Sequence, residues 1–487
     1  MHRVRPVEDG DIRELAAWLG VEFAAGEAEE AADRLNNLLD IYETLEDIPR
    51  PGTGDSAPEQ FSQSRPGEGD DPYNAWLQRF DLSREAGGAL DGTTVAVKDN
   101  MCVRGVEMTV GSRAFEGFVP GRHARVVDRL LERGATVVGK TNMDELAFAP
   151  TGDTSAFGPT LNPVDTDHVP GGSSCGSAAA VADGQVDFAL GSDTGGSVRI
   201  PASYCGIVGI KPTFGLVPAH GVVGLAESLD HVGVISDDVA TAARGLAAIA
   251  DTPPGRTDPV VDTAAIGADP GDVAVGVAEG FFETHVSGEV ERAVRAGLDA
   301  FADRGVTVET VDIPALAHSR PAWWGIAPAE FAAMYLTAGA GLWRHERVDP
   351  SLAAGMARVR GAAGRTFGQN IKEMLALGAY LIRTEQCDHY VRGQNLRAQL
   401  KREIDAVLAD VDVLATPTTP TTALEINEFE RGVTPPVNWD CHPLNLTGHP
   451  AISVPAGTAE GMPVGLQFVG NWYDEQTVFD VADAYVS

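Results

Sequence analysis

Apolar residues recur at helical spacing near the start of the chain. Ile12, Leu15, Ala16 and Leu19 follow an i, i+3, i+4, i+7 pattern, and Leu35, Leu38, Leu39, Tyr42 and Leu45 repeat it. Two amphipathic helices are predicted there. Residues 49–71 are rich in Pro, Gly, Ser and acids and read as a loop or linker. Residues 1–75 are therefore expected to form a helical appendage with its linker, ahead of a main domain over 76–487. There the period changes. Residues 93–97 are an apolar run of strand length, with Lys98 at the C-terminal end. Val126, Val127, Leu130 and Leu131 mark one face of a helix over 123–133, and 135–138 is the next strand. Strand–helix–strand alternation argues for an α/β sheet. The small residues of 177–182 predict a helix packed very close to its neighbours. Residues 186–190 are a strand that runs into the glycine-rich 191–197. Then come a strand at 273–277, a helix over 288–304 and a strand at 306–311. A mostly helical stretch over 325–409 and closing strands at 413–416, 451–454 and 464–469 complete the pattern. The expected fold is one large mixed sheet.

Charge changes the picture of the surface. The 487 residues include 70 Asp and Glu against 36 Lys and Arg, a formal net charge of −34. The lysines are only Lys98, Lys140, Lys211, Lys372 and Lys401. Such an acidic surface opposes nucleic acid and anionic membranes, and it stays soluble where salt screens the charge. A salt-adapted organism with a high-salt cytoplasm is the expected source, against the alternative of a merely acidic mesophile. The cysteines at 102, 175, 205, 387 and 441 form no CxxC pair, so neither a disulfide framework nor a zinc knuckle is indicated. The first residues lack the apolar run of a signal peptide, and no stretch of about 18 apolar residues is present. A soluble, cytoplasmic protein is expected.

Three segments carry candidate chemistry. They are Val97-Lys98-Asp99-Asn100, Gly171-Gly172-Ser173-Ser174-Cys175-Gly176-Ser177 and Asp193-Thr194-Gly195-Gly196-Ser197-Val198-Arg199. In the third, a strand ends, a glycine-rich turn follows and a helix starts near Val198. Glycines let backbone N–H groups approach a ligand, and donors at a helix start stabilise a developing oxyanion. Ser197 stands where a nucleophile would be needed. The bland alternative is a glycine turn with a helix cap. The second segment is an anion-binding loop or a cap, and it lacks the Gly-Lys-Ser/Thr of a phosphate loop. Lys98, at the end of an apolar strand, is partly desolvated. That lowers its pKa toward the range of a general base, unless it simply pairs with Asp99 or another carboxylate.

Together these segments resemble the amidase signature family. The resemblance rests on 169–182, on 191–202 with Cys205-Gly206 and Gly209-Ile210-Lys211-Pro212-Thr213, and on Val97-Lys98-Asp99. It runs from about residue 72 to the end. It implies a large mixed sheet covered by helices on both faces. It also implies a Ser-cisSer-Lys triad: Ser197 as nucleophile, Ser173 on a cis peptide bond as relay, and neutral Lys98 as base. The main-chain N–H groups of Thr194, Gly195, Gly196 and Ser197 would hold the oxyanion, and no metal or cofactor is needed. The implied partners are a small-molecule amide and a second copy of the chain, a homodimer through the helical appendage, with no nucleic acid directly and no membrane. Specificity would come from about 320–445.

Two branches of the family compete. Pro72-Tyr73-Asn74-Ala75-Trp76 and 211–218 resemble the amidases that accompany nitrile hydratases. Residues 415–421 and 448–455 resemble the A subunit of glutamyl-tRNA amidotransferase, a glutaminase. In the latter branch, the substrate carboxylate is gripped by an arginine after a Val-Lys pair, and the amino group is held by an aspartate. Here the matching positions read Ile371-Lys372-Glu373-Met374 and Asn438, with Asp440 two residues on. The sequence therefore favours an amidase that converts a carboxylic acid amide to carboxylate and ammonia, with the amidotransferase component as the alternative.

Other readings are weaker. Gly172-Ser173-Ser174-Cys175-Gly176 fits the nucleophile elbow of α/β-hydrolases, with Ser174 as nucleophile. The elbow must follow a buried strand, whereas 162–168 is polar and broken by proline. His220, His231 and His449 lack ligand spacing and read as structural. Trp323, Trp324, Phe331, Tyr335 and Trp343 are either helical packing or an aromatic pocket. Cys175, where the family usually has Gly or Ser, reads as packing. An inactive binding partner is disfavoured because all three catalytic residues are present. Salt adaptation makes a direct prediction: unfolding followed by circular dichroism should show stability rising steeply with KCl. Full stability in salt-free buffer would refute it.

Overall fold

Alternation along the central strands sorts side chains onto two faces of one sheet. Val95 and Val97, Phe188 and Leu190, and Val232 and Val234 join the larger apolar cluster, while Ala96, Ala189 and Ile235 join a second one. That period of two is what a sheet covered on both sides requires. The computed structural model describes residues 5–38, 62–67, 69–84, 87–253, 255–267, 273–282, 285–339, 350–362, 366–426 and 436–487.

The strands are β1 (Trp76–Leu82), β2 (Thr94–Lys98), β3 (Thr136–Thr141), β4 (Phe188–Asp193), β5 (Val208–Lys211), β6 (His231–Ser236), β7 (Ala274–Ala278), β8 (Thr307–Val311), β9 (Val413–Pro417), β10 (Ala451–Ala459) and β11 (Met462–Val469). They form one mixed sheet in the order β1-β3-β2-β4-β6-β5-β10-β11-β9-β7-β8. β2 runs parallel to β3 and β4, and β7 runs parallel to β8 and β9. The other pairings are antiparallel. β1, β5 and β6 were not read from the sequence. β1 carries Gln78, Arg79 and Asp81, which dilute its apolar signal, and β5 is only four residues long.

The chain divides into two compact units, Met1–Pro58 and Glu59–Ser487. In the first, the helices Asp9–Leu19 and Glu27–Asn36 pack through Ile12, Ala28 and Ala32. Glu27, Glu29 and Glu30 stand in the first turn of the second helix, where carboxylates complement the helix dipole. Leu39, Tyr42 and Leu45, expected to extend a helix here, lie outside the described residues. In the second unit, Ser64 bridges to Arg79 of β1. No helix among the described residues is long and apolar enough to cross a membrane.

The helix Cys175–Ala182 contains almost only small residues, and it sits over Ala96 and Ala189 in the second cluster. Small residues on both sides allow the close approach that delivers Ser173 to the end of β2. Gly176 is the tightest point: a Cβ there would stand 2.3 Å from the Ala75 carbonyl oxygen and 2.6 Å from the Asn142 nitrogen. Gly176→Ala should therefore cost about 1–3 kcal/mol, as overpacking typically does. An unshifted urea midpoint in the variant would contradict this close packing.

Candidate active site

The C-terminal ends of β2 and β4 lie side by side, because these strands are parallel neighbours. That placement brings Lys98 and the turn after Asp193 together. Lys98 is fully buried. Its Nζ lies 2.7 Å from Ser173 Oγ and 2.9 Å from Ser192 Oγ. Ser173 follows a cis peptide bond between Gly172 and Ser173. Burial lowers the Lys98 pKa to about 8, although Cys175, Asp144, Asp193 and Asp230 pull it back upward. A group poised there is neutral often enough to accept a proton.

Three side chains around Lys98 were missed in the sequence: Ser192, which it contacts directly, and Asn100 and Asp144 beyond it. Asn100 Nδ2 donates to Ser192 Oγ at 3.0 Å and to the Val223 carbonyl at 2.9 Å. The Val223 carbonyl requires an N–H, so it fixes the orientation of the amide and keeps a donor on Ser192. Asp144 is the other addition. Its buried carboxylate accepts from Gly152 N and from Thr154 N and Oγ1, while burial pushes its pKa up to about 7. The only sequence signal for it was a polar run after β3.

Ser197 faces a cavity of about 940 Å³, whose wall also includes Thr194 and Gly195. Its hydroxyl makes no hydrogen bond among the described residues, so the contact from Ser173 to Ser197 is not closed in this state. The turn itself is held from below. Asp193 Oδ1 accepts from Gly196 N at 2.8 Å, and Oδ2 accepts from Val198 N at 3.1 Å. Burial alone would raise the Asp193 pKa, but the Arg199 guanidinium 3.0 Å away holds it well below the carboxylate range. With Gly196 N–H committed to Asp193, the amides of Thr194, Gly195 and Ser197 carry no hydrogen bond among the described residues. These three amides are therefore available to a developing oxyanion. Trp323 Nε1 donates to the Thr194 carbonyl at 3.3 Å, which steadies the loop.

The competing residues fall elsewhere. Ser174 is fully buried, and its hydroxyl donates to the Ser192 carbonyl. No strand precedes it over 161–168, so the elbow geometry is absent. The Cys175 thiol is buried and accepts from Thr160 Oγ1, and burial pushes its pKa up to about 12. Trp323 and Trp324 line the cavity, whereas Phe331 is core and Tyr335 packs against it. Trp343 lies outside the described residues. His231 is buried with Nδ1 2.7 Å from the Leu229 carbonyl. His449 is bound to Thr447 and Asp405.

The chain resembles known proteins over most of its length. It is 41% identical over 434 residues to the A subunit of glutamyl-tRNA(Gln) amidotransferase from Halobacterium salinarum, covering 84% of this chain and 99% of that one. The crystal structure of the corresponding protein from Thermotoga maritima superposes with a TM-score of 0.72 at 34% identity, over 85% of this chain and 87% of that one. A peptide amidase from Stenotrophomonas maltophilia superposes with a TM-score of 0.66 at 30% identity, over 82% of both chains.

The relatives correct one expectation. A homodimer acting on a small-molecule amide, with no nucleic acid directly, was implied by the resemblance. The relatives are instead named as one component of a multisubunit enzyme whose name carries glutamyl-tRNA. The catalytic motifs could not decide this, because they build the hydrolytic centre and not the surface that meets a partner. The amidase family model matches residues 74–479; the chain belongs to the amidase signature family.

Proposed function

We propose that this chain is the amide-hydrolysing component of a glutamyl-tRNA amidotransferase-type enzyme, releasing ammonia from a carboxamide by way of a Ser197 acyl-enzyme. The names of the relatives support the setting. The observation that carries the chemistry is the 2.7 Å contact of buried Lys98 Nζ with Ser173 Oγ, beside the cavity that Ser197 faces.

Neutral Lys98 takes the Ser173 proton while Ser173 takes that of Ser197. Ser197 Oγ then attacks the amide carbon, and the carbonyl oxygen becomes an oxyanion held by the amides of Thr194, Gly195 and Ser197. Removing one such donor typically costs a factor of about 10²–10³ in rate. The C–N bond breaks, the proton returns from Lys98 through Ser173 to the nitrogen, and ammonia leaves. Water, deprotonated by the same relay, cleaves the ester and frees the carboxylate. Specificity falls to the region 320–445, which supplies Arg320, Trp323, Glu373 and Asn438 to the cavity wall. A cytoplasmic location fits this role.

Ammonia release from glutamine, propionamide and benzamide, in high KCl with and without added partner chains, tests the reading. Release from glutamine that rises with partners, and that Ser197→Ala abolishes, is expected. Equal release from all three amides by the chain alone would overturn the amidotransferase setting, and activity surviving in Ser197→Ala would overturn the chemistry. Because Lys98 must be neutral to act, kcat/KM should climb with pH through a limb near pH 8 and then level off. A pH-rate profile that is flat from pH 6 to about 10 would exclude Lys98 as the base.

A further inference from the structure

Lys98 becomes an ammonium when it takes the relay proton, and that charge forms in a fully buried place. Its contacts with Ser173 Oγ and Ser192 Oγ are neutral. A new buried charge is costly unless an opposite charge stands near it. Four acidic groups act on Lys98: Cys175, Asp144, Asp193 and Asp230. Three of them suit the task poorly. The Cys175 thiol, pushed up to about 12 by burial, is uncharged at neutral pH. The Asp193 charge is matched by Arg199 at 3.0 Å. Asp230 is half-buried and accepts from Thr194 Oγ1 at 2.6 Å, so solvent screens its charge. The buried Lys140, on the neighbouring β3, is matched by Asp99 at 2.9 Å.

Asp144 differs. It is fully buried, and no Lys, Arg or His among the described residues is in ion-pair contact with it. N–H and O–H donors alone hold its carboxylate: Gly152 N at 2.9 Å, Thr154 N at 3.1 Å and Thr154 Oγ1 at 2.7 Å. The next carboxylate along, Asp153, is half-buried and lines the catalytic cavity. Asp144 also meets the relay segment from two sides. Its N–H donates to the Ser173 carbonyl at 3.3 Å. Its Oδ2 lies so close to Gly172 that a Cβ there would collide with it. Gly172 N in turn donates to the Pro150 carbonyl at 2.7 Å. Pro150, Asp153 and Thr154 line the cavity that Ser197 faces. One carboxylate therefore ties the cavity wall to the serine on which Lys98 acts.

Resting on the reading of Lys98 as base, we propose that Asp144 is a positioning residue of the proton relay. It braces Ser173 against the cavity wall at 150–154, and it supplies the fixed negative charge against which Lys98 becomes cationic. No proton passes to Asp144; its charge makes the ammonium easier to form.

The chain has only five lysines, so one of them can be followed directly. With an isotope label at the lysine ε-carbons, NMR of the full chain in high KCl reads the Lys98 titration without any turnover. The Lys98 signal is assigned by its loss in Lys98→Met. Removing a nearby negative charge disfavours the ammonium, so the Lys98 pKa should fall in Asp144→Asn. The expected fall is about one pH unit, the low end for an adjacent opposite charge. The limb of the kcat/KM profile should move to lower pH with it, and kcat should drop about tenfold. A brace with no charge role would lower kcat and leave the titration in place. Thr154→Val is the milder variant, to be used if Asp144→Asn does not fold. It removes a donor that favours the ionised Asp144, so less charge remains and Lys98 should shift the same way by less. A Lys98 titration that is unmoved or raised in the folded variant would overturn the proposal, whatever the activity. A lowered titration in a protein whose wild type releases no ammonia would leave the charge pairing standing and remove the hydrolase reading. Ammonia release that Ser197→Ala abolishes and Asp144→Asn does not touch would do the reverse.

Discussion

The buried ion pair of Asp193 and Arg199 is the constraint on which the catalytic geometry depends. Both side chains are fully buried. Charges in that position are tolerated only when every lone pair and proton finds a partner. Asp193 satisfies this by gripping Gly196 N and Val198 N as well as Arg199. Arg199 in turn donates to Gln467 on β11, to the Cys441 carbonyl and to Asn445. One pair therefore ties the turn at the end of β4 to the last third of the chain. Removing one partner of such a pair typically costs about 3–5 kcal/mol. The same pair engages Gly196 N–H, which leaves the amides of Thr194, Gly195 and Ser197 as the turn's donors without a partner among the described residues.

Lys98 shows the opposite use of burial. Asp193 is kept ionised by a full set of donors. Lys98 sits where its ammonium is poorly solvated, with two serine hydroxyls as its polar contacts. Desolvation is the larger effect, and the surrounding carboxylates limit how far its pKa falls. Asn100 and Ser192 hold the amine beside Ser173 without adding a charge, which would undo the shift. The small-residue helix Cys175–Ala182 makes this possible, because it lets the loop carrying Ser173 come down onto the sheet.

The cavity combines a centre built on the sheet with a wall built mainly by the later helices. Lys98, Ser173 and Ser197 come from the two ends of parallel strands and one tightly packed loop. The wall comes from the helices Ser319–Leu336 and Gln369–Arg383 and from the stretch around Asn438. Proteins named for an amidotransferase and for a peptide amidase both superpose on this fold.

The sequence by itself determined most of the strands and the three segments that the fold brings together around Lys98. Glycine-rich turns after apolar strands carry a local signal, and the runs at 93–97, 273–277 and 464–469 have the length and composition of buried strands. It also indicated the close-packed helix near 177–182, since only small side chains permit such contact. It did not reveal β1, whose polar residues mask its place in the sheet, nor β5, which is too short to announce itself. Ser192, Asn100 and Asp144 went unrecognised because polar side chains beside a glycine turn look alike until the fold shows which ones face the buried amine. Only the tertiary structure decided that Gly196 N–H belongs to Asp193, that Trp323 lines the cavity while Phe331 is core, and that Arg320 and Glu373 share one wall. Each of those facts depends on residues far apart in the chain meeting at one point, which neither periodicity nor spacing encodes.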